Sequence, residues 1–150
     1  MKHSKQGFSL IEVLVFLTIL SLIFISAVVL GTVSIRNSQN TGNKILASHY
    51  AEELLDWLRN QKEIDWSNFS TIKSKPNGVT YCFSKEPIDS WGINRACNIS
   101  DPLINSLFKR EATLKFDFNL QRVNVDIHLK WSEGGNNYDV TTKGVFSLFE

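Results

Sequence analysis

Proline and cysteine are scarce, with three and two in 150 residues, and neither sign of charge dominates: 16 basic and 15 acidic side chains leave a formal net charge of +1. Each scarcity removes a class of protein. Two cysteines are too few for a disulfide-built scaffold, and no cysteine or histidine sits at ligand spacing from either thiol, so no metal site is expected. Near-neutral, interspersed charge leaves no electrostatic footprint for nucleic acid. The basic pair Lys109-Arg110 reads as an exposed strand start rather than a phosphate site. There is no phosphate loop, dinucleotide fingerprint or nucleophile motif. His3, His49 and His128 fall where solvated imidazoles are expected. Asp65, Asp89 and Asp101 read as isolated loop carboxylates without the calcium-loop pattern, although loop calcium stays open. No catalytic residue and no cofactor are therefore expected.

The most informative absence is of charge between Val13 and Val33, an apolar run that at 1.5 Å per residue makes a helix of roughly 31 Å, the thickness of a bilayer's hydrocarbon core. A plain signal anchor accounts for that length but not for Glu12 at its start, because an ionised group in a membrane helix costs on the order of 3 kcal/mol or more. A cleaved secretory signal does not fit either: its apolar core is shorter and ends in a small-x-small site, which is missing near Ala27 to Gly31. Glu12 needs a partner. Cutting after Gly7 would supply one, a charged amine on Phe8.

The run Gly7-Phe8-Ser9-Leu10-Ile11-Glu12, preceded by Lys2 and Lys5, resembles the leader and processing site of type IV prepilins and type II secretion pseudopilins. The resemblance implies that a prepilin peptidase cuts between Gly7 and Phe8 and methylates the Phe8 nitrogen. Glu12 would pair with a neighbouring subunit's terminal amine. It implies partners too: other pilins or pseudopilins in a helical filament, an inner-membrane assembly platform and membrane lipid. The Ala27 and Gly31 spacing would let helices approach closely. Lys2 and Lys5 hold the leader in the cytoplasm by the positive-inside rule, which sends the C-terminal bulk outward. The expected course is a single-pass inner-membrane protein that later joins a cell-surface or periplasmic filament. Losing Lys2 and Lys5 takes the net charge from +1 to about minus one.

The expected organisation is a leader over residues 1–7, a transmembrane and filament-core helix over 8–33, an amphipathic helix half over 34–60 and a head over 61–150. Leu46, Ala47, Tyr50, Ala51, Leu54, Leu55 and Leu58 recur at helical spacing, with Lys44, His49, Glu52, Glu53, Asp56 and Arg59 on the other face. The membrane half lacks the helix-bending proline of the best-known pilins, so any bending on assembly would arise around Gly31 or Gly42. Gln61 to Gly78 reads as a loop into the sheet. Strands are expected at Val79 to Phe83, from Leu114 to Leu120, from Val123 to Trp131 and from Tyr138 to Phe149. Gln121-Arg122 is a tight connection, and a bulge is expected at Gly144. The fold class is α+β: a long helix packed on a small antiparallel meander.

Both cysteines then lie outside the cytoplasm, where a bridge between Cys82 and Cys97 would persist; in a reducing envelope they would stay free. The final Gly144 to Phe149 and the meander resemble minor pilins more than abundant ones. Two other functions remain open: a signal-anchored extracytoplasmic binding protein that joins no filament, and a filament-tip pseudopilin that captures DNA. The near-neutral head speaks against the second.

Overall fold

The computed structural model describes residues 9–149. One helix, α1, runs from Leu10 to Ile64, and a π-helix follows at Asn68–Lys73. Four strands complete the fold: β1 Val79–Cys82, β2 Lys109–Asp117, β3 Arg122–Glu133 and β4 Asn136–Ser147. They form one antiparallel sheet in the order β1-β2-β3-β4, a meander in which short turns join β2 to β3 and β3 to β4 while residues 83–108 connect β1 to β2. The architecture is α+β and pilin-like. The chain divides into two compact units, Met1–Gly42 and Asn43–Glu150, so α1 contributes to both.

In the second unit, the period of 3.6 on the helix meets the period of two on the sheet. Ala47, Tyr50, Ala51, Leu54 and Leu58 of α1 are buried, and so are Val123, Val125, Ile127, Leu129 and Trp131 of β3, every second residue. Burying a leucine such as Leu54 stabilises by about 1.5–3 kcal/mol relative to exposure, so this face holds the unit together. The β3–β4 hairpin closes through Gly134 and Gly135 at φ 58° and 80°, a two-residue turn with both central residues left-handed.

The structure corrects four local expectations. Gln61 to Gly78 is not a loop throughout, since α1 continues to Ile64 and the π-helix follows. The Asp65 carboxylate accepts from the Asn68 N–H at 2.9 Å, and the Ser74 hydroxyl donates to the Phe69 and Ser70 carbonyls, so side chains satisfy the ends of this short helix. β2 begins five residues earlier than its clean alternation and ends at Asp117. That carboxylate takes the Asn119 and Leu120 N–H groups into a turn, leaving Phe118 and Leu120 exposed. Gly144 makes no bulge: it pairs with Val125 in unbroken register. A Cβ there would lie 2.6 Å from Leu55 Cδ1, so the glycine serves the close approach of α1. β4 ends at Ser147, not Phe149.

Candidate functional site

In the first unit the candidate site is the beginning of α1. Gly7 and Phe8 lie outside the described residues. Ser9 precedes the helix, its carbonyl accepts from the Glu12 and Val13 N–H groups at 3.0 and 3.2 Å, and Glu12 thus stands in the first turn. A carboxylate there complements the partial positive charge of the helix N-terminus. Glu12 has no side-chain partner among the described residues of this chain, so both helix end and any incoming cation can compete for it.

Behind Glu12 the helix is apolar all round and its large side chains are exposed, as with Leu10, Phe16 and Leu30. The segment is long and apolar enough to cross a membrane. Its hydroxyls are internally satisfied. Thr18, Ser21, Ser26 and Thr32 each donate to a carbonyl three or four residues back, at 2.8 Å in every case. Bonding of that kind removes the penalty a bare hydroxyl would meet in hydrocarbon and leaves the carboxylate as the polar exception near the helix start. Ala27 and Gly31 are exposed on α1, and nothing lies within 4 Å of where a Gly31 Cβ would stand.

In the second unit the loop between β1 and β2 holds the disulfide and the Arg95–Asp101 ion pair. Cys82 and Cys97 are joined by a disulfide across 15 positions. Gly92 lies against this bridge, where a Cβ would meet the Cys82 carbonyl oxygen. Asp101 is not isolated: Arg95 grips it with two bonds of 2.7 Å, and the Asn98 N–H adds a third of 2.6 Å. These donors hold its carboxyl down at about 2, the Arg95 guanidinium contributing most. The two sulfurs and the Asp101 carboxylate lie within 4.8 Å of one another. Because the sulfurs are bonded to each other, no thiolate is left to hold a metal.

Arg110 reverses another expectation. It does open a strand, but its side chain is fully buried. One guanidinium nitrogen donates to Glu53 at 2.9 Å and to the Tyr50 carbonyl at 3.2 Å, while the other reaches the Lys85 carbonyl at 3.0 Å. Burial pushes the Arg110 pKa down and the Glu53 carboxylate pulls it back up. Burial also raises the Tyr50 phenol, as does Glu86, which its hydroxyl meets. One side chain therefore pins the helix, the sheet and the disulfide loop together. A lone Lys-Arg dipeptide gives no sign of this, because its anion lies 57 residues away. His128 is likewise not a free surface imidazole: it meets Thr141 at 3.0 Å and Asp139 at 3.4 Å.

Residues 2–28 match the family model described as the prokaryotic N-terminal methylation motif. The chain carries the methylation motif of type IV prepilins and pseudopilins. The motif takes in Gly7, Phe8 and Glu12 together with the apolar helix up to Val28. It implies processing by a prepilin peptidase and assembly with other pilins, and its family is structural rather than enzymatic. No curated protein and no solved structure matches the chain.

Proposed function

We propose that the protein is a minor pilin or pseudopilin, a structural subunit of a type IV pilus, a type II secretion pseudopilus or a competence filament, and not an enzyme. The observation that carries this reading is the methylation motif at residues 2–28, set on a helix whose apolar side chains are exposed on every face. Such a helix is satisfied by lipid before assembly and by other helices afterwards. Exchanging lipid tails for neighbouring side chains gains little, so close packing and polar pairs must direct the transfer.

On this reading the peptidase removes residues 1–7, and the methylated Phe8 amine remains cationic. Glu12 of one subunit meets the Phe8 amine of another inside the helix bundle. An ion alone in that medium is costly and a paired one is tolerated, so the pair checks the register of each incoming subunit. Ala27 and Gly31 give the closest helix approach. The head stands outside the cytoplasm, where the Cys82–Cys97 bridge survives.

Intact-mass analysis of the protein from membranes containing prepilin peptidase tests the proposal. The expected mass is that of a chain starting at Phe8 with one added methyl group. A chain that keeps residues 1–7 there would overturn it.

A further inference from the structure

The second unit carries two unpartnered apolar features at opposite ends of its sheet. At the end formed by the β2–β3 turn and the end of β4, Phe118, Leu120, Leu148 and Phe149 stand exposed, Phe149 at 93%. At the other end, where β3 turns into β4, lies a groove of about 670 Å³. Its walls are Ile99, Leu103 and Leu107 of the β1–β2 connection facing Trp131 and Tyr138. Ile99 is 96% exposed. The separation along β3 is roughly 30 Å at 3.3 Å per residue.

We propose that these features are two halves of one contact: the apolar knob of one copy seats in the groove of the next copy, so that the heads stack head to tail. The proposal rests on the pilin-like reading, in which neighbouring copies share one membrane and face the same way. Three observations select a second copy as the occupant. The knob exposes on the order of 500 Å² of apolar surface, against about 800 Å² that each partner buries in a standard interface, so it forms most of one. The groove has the size of a ligand pocket, yet its two cations are already engaged. Lys109 bonds the Asn98 carbonyl at 2.7 Å and Lys130 bonds Glu111 at 2.7 Å, so neither awaits a small anion. Finally, knob and groove sit at opposite ends, which makes the contact heterologous and open-ended, the kind that propagates a filament while every subunit keeps its direction. Anchoring in one membrane raises the local concentration, so the contact need not hold two free heads together.

The test uses the full chain in membrane vesicles, with leader removal read by intact mass in the same sample. Leu103→Cys and Leu120→Cys chains, mixed and treated with a short bis-maleimide, should give a covalent dimer containing one of each. Chains carrying both cysteines should give a ladder. Adding Ile99→Asp in the groove or Phe118→Asp on the knob should reduce the product about tenfold or more, because a carboxylate is then forced into an apolar contact. Both replaced side chains are exposed, so the fold survives. The two variants mixed should recover a dimer but no ladder, since each keeps one intact surface. Strong dimerisation of Leu120→Cys alone, an undiminished ladder with Ile99→Asp, or capture of the Leu103→Cys chain by a different subunit in place of Leu120→Cys would overturn the proposal. A processed chain without a ladder would overturn the stacking and leave the methylation-motif reading standing. An unprocessed chain that still forms the ladder would overturn that reading and support the stacking.

Discussion

The two units of this protein solve opposite solvation problems with similar residues. From Leu10 to Val33 the apolar side chains point outward on every face of a helix whose hydroxyls are turned back on its own carbonyls. From Asn43 onward one face of α1 and one face of the sheet turn their apolar side chains inward, exposed ones remain chiefly at the ends of the sheet, and charges form specific pairs, above all Arg110 with Glu53. The first arrangement makes sense only if the surroundings are apolar, and the second only if they are water. The lesson is that one ionisable group has different consequences in the two units. In the head a buried cation is fixed by three acceptors of its own chain, whereas Glu12 has no side-chain partner among the described residues.

The largest expected effect follows from that difference. Glu12→Val should insert and be cleaved normally yet fail to enter filaments beside processed wild-type subunits, as read by labelling isolated filaments. Glu12→Gln sharpens the comparison, because glutamine serves a helix N-terminus but cannot neutralise an amine. If Gln restores incorporation, the carboxylate is only a helix-capping group and the contrast between the units collapses.

Next in size is Arg110→Met, which removes the buried cation while keeping most of its volume. The expected loss is about 3 kcal/mol in denaturant unfolding, the low end for breaking a buried pair, because Glu53 is one-third exposed and can reach water. A loss within experimental error would mean that packing alone joins helix to loop. Comparable in size, removing the bridge with Cys82→Ser and Cys97→Ser should cost about 3 kcal/mol for a loop of this length and leave cleavage after Gly7 untouched.

The smallest effect is set by pH. Asp101 titrates lower in the folded head, at about 2, than in an unfolded chain, so its bonds to Arg95 and Asn98 contribute fully above the ordinary carboxylate value near 4. That contribution fades as the pH falls towards 2. The protection of the Asn98 amide from hydrogen exchange, taken relative to the intrinsic rate at each pH, should therefore fall in acid while protection along β3 persists. Equal loss of protection at both would show that the head unfolds as one body.

Much of this could be read from residue order. The alternation from Val123 to Trp131 predicts a half-buried strand, and the spacing from Leu46 to Leu58 predicts the face of α1 that lies on it. Other features were hidden for identifiable reasons. Phe118 and Leu120 continue the alternation of β2, but the Asp117 side chain captures two backbone N–H groups and ends the strand before them. The π-helix is stabilised by Asp65 and Ser74, polar residues that read equally well as loop. Gly144 looks like a defect in a strand until Leu55, from an element almost ninety positions earlier, is seen to occupy the space a Cβ would take.

By itself the sequence determined the long helix, the middle of the main strands and the motif, because periodicity, turn chemistry and the Gly-Phe step with its following glutamate act over a few neighbouring residues. Only the tertiary structure decided which charges are buried, which apolar side chains remain outside and what lies at each end of the sheet. Those depend on segments tens of residues apart meeting in space, and no local pattern records where a distant helix will lie. Arg110 shows the division most directly: its place at the start of a strand is written in its neighbours, and its burial is decided by Glu53 and Tyr50 on α1.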